Sequence, residues 1–164
     1  VYKGDKKSGR KHIDMAVFML VRAMREFTEK NTLYCFEENP GQDRFFRSTA
    51  KTRLFVSGNR SGKTMGGVAE DVAWMKGYRA WLEPTDPAFL TPIRPPIRIR
   101  LIAKDYDIAV KENIIPEFER WFPGLTRRQD IKISKHYGGA INKIIYRPTK
   151  SSVHILTHKQ IITY

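Results

Sequence analysis

Arg53-Leu54-Phe55-Val56 is a short apolar run. Ser57-Gly58-Asn59-Arg60-Ser61-Gly62-Lys63-Thr64 follows it, and Met65, Val68, Ala69 and Val72 then recur at helical spacing. A strand, a glycine loop closing on Gly-Lys-Thr and a helix is the context in which backbone cradles phosphate. In such a loop successive N–H groups curl around a β-phosphate, and the helix N-terminus adds partial positive charge. Gly62 permits close approach of the backbone, Lys63 is a point charge for the β- and γ-phosphates, and the Thr64 hydroxyl joins a magnesium shell. Ser57 stands where these loops usually start with glycine, and Gly58 comes one place later. The competing reading is a glycine-rich turn that binds nothing. The fold expected from this punctuation is α/β: a P-loop NTPase core with a mostly parallel sheet flanked by helices, and a β excursion near the C-terminus.

At 164 residues the chain is one domain's length, enough for a proper core. Cys35 is the only cysteine, so no internal disulfide is possible. The longest apolar stretch, Ala16–Val21, is too short to span a membrane. The net charge of +13 favours polyanions, nucleic acid first and anionic membrane second, against plain solubility. The basic residues are spread over the whole chain. That predicts contact with a phosphate backbone and not sequence readout.

Around the loop the pattern is readable. Residues 1–11 are a basic arm. Residues 12–30 form a helix whose stripe Ile13, Val17, Leu20, Met24 and Phe27 is expected to face the core. Pro40 and Gly41 open a turn leading into a short helix, and Gln42 lies within it. A glutamine amide both donates and accepts, as the Watson–Crick edge of adenine requires. A plain surface glutamine is the alternative. Gly66-Gly67 weakens the helix after the loop and Gly77 stops it. The proline-rich stretch 78–96 reads as a semi-ordered surface connection. Residues 97–104 form a strand, Asp105 caps a helix near Ile108, and Pro116 restarts that helix. Ile131–Ser134, Ala140–Tyr146 and Ser152–Thr157 are short β segments. His154 and His158 have no glutamate between them and no helical pattern, so they do not read as a zinc pair.

Pro40-x-Gln42, the aromatic pair Phe45-Phe46, a basic spacer and an apolar strand into Gly58-Asn59-Arg60-Ser61-Gly62-Lys63-Thr64 resemble the N-terminal ATPase half of phage terminase large subunits. These are the motors that package viral double-stranded DNA. Ile97–Lys104 with Asp105-Tyr106, then Ile114-Ile115-Pro116 and Trp121-Phe122-Pro123, are similar to the stretch that family places after its P-loop helix. So is Gly138–Lys159, with paired strands around Thr149-Lys150-Ser151-Ser152. The likeness covers about residues 36–160, and the P-loop is its sharp part.

The resemblance implies roles by position. Ser57, Gly58, Asn59, Arg60, Ser61, Gly62, Lys63 and Thr64 would bind nucleotide, and Gln42 would sense adenine. Lys63 would be catalytic at the phosphates, and Thr64 would hold magnesium through its hydroxyl. Arg60 matches the loop arginine that responds to the γ-phosphate in many terminases; a solvent-facing residue or an ion-pair partner is the other reading. The implied cofactors are ATP and Mg2+. The implied partners are double-stranded DNA, the portal protein and the small terminase subunit. The implied setting is a homo-oligomeric ring in the host cytoplasm, with no membrane and no place in the mature virion.

A P-loop ATPase also needs an acidic strand end, an aspartate for magnesium and usually a glutamate for the attacking water. After Asp130 this sequence has no Asp or Glu. Earlier, Leu101–Asp105 puts Lys104 before a single acid, and Asp105 reads as a cap. The resemblance places the acidic strand beyond a segment like Ser152–Gln160. Residues 1–35 are thus expected to be a basic arm and helix, and 36–164 an ATPase domain without its Walker B strand or the family's nuclease. Such a piece would bind nucleotide weakly and hydrolyse it poorly or not at all. Two other readings stay open: another P-loop enzyme, helicase-like or a nucleoside kinase, and a basic nucleic-acid-binding module with a vestigial loop.

Overall fold

The computed structural model describes residues 6–50, 52–56, 58, 60–90, 93–136 and 139–158, with side chains at these positions except 6–12 and 30. Helix α1 (Lys6–Lys30) leads into a single 3-10 turn, Thr32–Cys35. The expectation that Ile13, Val17, Leu20, Met24 and Phe27 face the core is overturned: each is more than half exposed. Helical spacing decides which side chains share a stripe, not what the stripe meets. Here the chief neighbour of α1 is the Thr32–Cys35 turn, where Phe27 meets the Tyr34 ring at 5.7 Å. No helix among the described residues is long and apolar enough to cross a membrane.

Helix α2 (Pro40–Arg47) starts with proline at its first turn and a reciprocal cap. Asn39 Oδ1 accepts from the N–H groups of Gly41 and Gln42, and Gln42 Oε1 accepts from the N–H of Asn39. The segment expected as the strand before the loop, Arg53–Val56, runs without strand pairing. Phe55 stacks on Phe45 at 5.5 Å, and Arg53 lies over the same ring at 4.6 Å. Leu54 and Val56 stand 86% and 79% exposed. The run alternates as a strand does, but one face packs on α2 while the other meets no described element.

Helix α3 (Lys63–Lys76) follows the loop and ends at Gly77, whose φ of 100° is open to glycine at little cost. The proline-rich stretch after it is better anchored than a surface connection. Arg79 is fully buried within it, and Trp81 packs edge-on to Phe36 at 5.0 Å. Then come β1 (Arg98–Ala103), a π-helical stretch Tyr106–Ile114, α4 (Ile115–Trp121), β2 (Ile131–Lys135), β3 (Ile141–Tyr146) and β4 (Ser151–Thr157). Asp105 caps the π-helical stretch, its Oδ1 accepting from the N–H groups of Ile108 and Ala109. Pro116 sits in the first turn of α4.

The four strands form one sheet in the order β1-β4-β3-β2. Only β1 and β4 are parallel; β4 with β3 and β3 with β2 are antiparallel. The class is α/β as expected, but the sheet is mixed and not mostly parallel. The reason lies in the connections. Strands β2, β3 and β4 follow one another through short turns, which can only reverse direction, whereas the helices between β1 and β2 give the chain room to return parallel. One face of the sheet carries Leu101, Ala103, Ile144, Val153 and Ile155 into a core shared with Val68 and Val72 of α3 and Phe118 of α4.

Candidate functional site

The glycine loop is shaped by its backbone. Gly62, the residue before α3, sits in the left-handed region at φ 77°. Arg60 adopts the same region at φ 61°, which costs a non-glycine residue on the order of 1 kcal/mol. Left-handed residues on both sides of Ser61 are the backbone habit of anion-binding nests. The fourteen-residue helix α3 starts immediately after, bringing the partial positive charge of its N-terminus to the loop. Ser57 and Asn59 lie outside the described residues.

Lys63 folds back over this loop. Its Nζ donates to the Gly58 carbonyl at 2.6 Å and reaches Ser61 Oγ at 3.4 Å. Thr64 is exposed in the first turn of α3, and Arg60 is exposed on the loop. No ion pair among the described residues uses Arg60. Loop donors, a flexible ammonium and an open hydroxyl at a helix start fit a nucleotide's phosphates and their magnesium ion. Lys63 would exchange the Gly58 carbonyl for phosphate oxygen.

Gln42 is placed beside the loop and is 1% exposed. Its Nε2 donates to the Gly62 carbonyl at 3.0 Å, and its Oε1 is used by the α2 cap. Asn39 Nδ2 donates to the Ser61 carbonyl at 3.4 Å. A methyl group at Gly62 or Gly66 would lie within 2.9 or 2.8 Å of the Gln42 amide nitrogen. Gly66 is therefore glycine because Gln42 of α2 packs there. An added methyl at Gly67 would meet nothing within 4 Å. Both polar ends of Gln42 are thus engaged within the fold and the side chain is buried, so the structure shows it holding α2 against the loop and α3.

Behind the loop lies a groove of about 610 Å³, bordered by Thr64, Gly67 and Asp71 of α3, by Leu101 and Ile102 of β1 and by Asn113. Two carboxylates stand on its helix. Glu70 is the centre of a buried network that spacing did not reveal. Its Oε1 accepts from Arg79 at 2.6 Å, from Trp74 at 2.9 Å and from Arg53 at 3.1 Å, and its Oε2 accepts from Arg79 Nε at 2.8 Å. Burial, reinforced by the neighbouring Glu70, pushes the Asp71 carboxyl up to about 7. The one sequence signal for this pair was two acids interrupting the apolar run Val68–Met75. Glu70 is consumed by its cations, and Asp71 lies two helical turns, roughly 10 Å, along α3 from Thr64. Neither supplies the acidic strand end that a P-loop ATPase uses.

Comparison with family models, with curated proteins and with solved structures produced no match to this chain.

Proposed function

We propose that this chain is the nucleotide-binding part of a P-loop ATPase, resembling the ATPase half of phage terminase large subunits, whose parent packages double-stranded DNA into a procapsid. The observation that carries the reading is Lys63. It stands at the start of α3 with its ammonium turned over the Gly58–Gly62 backbone, between left-handed Arg60 and the helix N-terminus. ATP and Mg2+ are the ligands this arrangement suits. Arg60, exposed on the same loop, is the residue to sense the γ-phosphate. On this reading the portal protein and the small terminase subunit are the protein partners, in a ring of copies.

A second reading, a basic nucleic-acid-binding module with a vestigial loop, draws on a different observation. Leu54 and Val56, in the segment that should anchor the loop within a sheet, are exposed and unpaired. The two separate in one titration of the whole chain with a fluorescent, non-hydrolysable ATP analogue and magnesium, run beside Lys63→Ala. Saturable binding weakened about tenfold or more by the substitution, the loss of a charge-assisted contact, supports the first reading. No binding to either protein removes it and leaves the second.

A further inference from the structure

The outer face of the sheet is a second candidate site, on the side away from the core. Residues in register on neighbouring strands share a face. Arg100 pairs with His154, which pairs with Lys143; Arg98 pairs with Ser152 in the adjacent row. These side chains alternate with the core residues Leu101, Val153 and Ile155, so they point away from the helices. Arg98, Arg100, Lys143, Lys150, Ser152 and His154 border one concavity of about 460 Å³.

Three features separate this face from an ordinary solvated surface. First, none of the four strands contains Asp or Glu, so the sheet has no carboxylate of its own to neutralise these cations. Second, no ion pair among the described residues involves Arg98, Arg100, Lys143 or Lys150, whereas Arg47, Arg53, Arg79 and Arg128 are all paired elsewhere. Cations gathered on one face with no carboxylate among them repel one another unless something neutralises them. Third, the charge converges on His154. Its imidazole is held below the ordinary histidine value by burial, then by Lys143, Arg100 and Arg98.

We propose that this open sheet face, built on Arg98, Arg100, Lys143 and Lys150, binds the phosphate backbone of duplex DNA. Arg98 and Arg100 stand two residues apart on β1, about 6.7 Å, with Lys143 across β4 and Lys150 in the turn before β4, so the charge is spread over the face and not gathered in a single anion pocket. The concavity is lined by no Phe, Tyr or Trp, the rings on which single-strand binders chiefly stack bases. Phosphate contacts of this kind position a duplex without reading its sequence. The assignment does not depend on the phosphate loop binding nucleotide.

The test is fluorescence anisotropy of a short labelled duplex with the full chain, without nucleotide, between ~50 and ~200 mM salt. Arg98→Gln/Arg100→Gln and, separately, Lys143→Gln/Lys150→Gln should each lower the slope of log affinity against log salt by about 2. Each pair should weaken binding about tenfold or more near ~0.1 M salt. Lys111→Gln/Arg127→Gln removes the same charge from exposed positions off the face and should change affinity about twofold or less. Arg98→Lys/Arg100→Lys should restore most of the binding, since a phosphate contact needs the charge more than the fork. An unchanged melting temperature shows that the variants remain folded. Equal losses from face and control pairs would overturn the proposal, because binding would then come from the net charge as a whole. Phosphatidylserine vesicles that compete with the duplex through the same residues would also overturn it, in favour of a membrane surface.

Discussion

Asp71 is the residue whose chemistry departs furthest from its composition. It lies half-buried in the groove beside α3, with its carboxyl deeply embedded and Glu70 next to it. Both conditions disfavour the anion, and its pKa rises to about 7 from an ordinary 3.8. Between those values the folded chain keeps a proton that the unfolded chain has released. Stability from this group is therefore full below about pH 4, declines as pH rises through that window, and stays at its lowest above pH 7. Asp71→Asn should raise stability at pH 8 by on the order of 2 kcal/mol and change little at pH 4. Urea unfolding at the two pH values reads the difference; an equal effect at both would show that the carboxylate is not strained. His154 runs the opposite way in pH. A histidine held below its usual value takes up a proton more readily when unfolded, so its contribution falls as pH drops through the histidine range.

At the scale of elements, α3 shows how far local rules reach. Its start at Gly-Lys-Thr, its stop at Gly77 and its apolar face were all readable in the sequence, because caps and periodicity are properties of neighbouring residues. The adjacent Gly66 and Gly67 were not separable that way. Alanine at either position gains roughly 1 kcal/mol of helix propensity. At Gly66 the new methyl would press within 2.8 Å of the buried Gln42 amide, displacing hydrogen bonds worth about 1–3 kcal/mol when left unmade. Gly67→Ala should therefore raise the melting temperature and Gly66→Ala should lower it. Thermal unfolding followed by circular dichroism tests the pair; equal shifts would mean that Gln42 does not hold α2 against α3. The periodicity of α1 was equally legible, yet its stripe of Ile13, Val17 and Leu20 meets solvent. A stripe records a preference for burial; only the arrangement of other elements decides whether it is met.

For the whole molecule, Glu70 is the joint. It draws Arg53 from the segment before the loop, Trp74 from its own helix and Arg79 from the stretch after it to one carboxylate. Glu70→Ala would leave the fully buried Arg79 guanidinium without its anion, a loss of about 3–5 kcal/mol. Breaking the exposed pair Arg22–Glu26 by Arg22→Ala should cost about 0.5 kcal/mol or less. Denaturant midpoints measure both, and similar losses would refute the network's role. From the sequence alone came the α/β class, the glycine loop between an extended run and a helix, the Asp105 cap and the four short strands. Each of these rests on residues close together in the chain. The tertiary structure alone decided that the sheet is mixed, that Leu54 and Val56 are exposed and that Gln42 wedges into Gly66. It also brought Glu70 to Arg53 and Arg79, and the scattered basic residues of β1, of β3 and of the turn before β4 into one cationic face. Those facts depend on strand register and on which elements meet. Free energies of burial and charge fix both across distances that neighbouring residues do not encode.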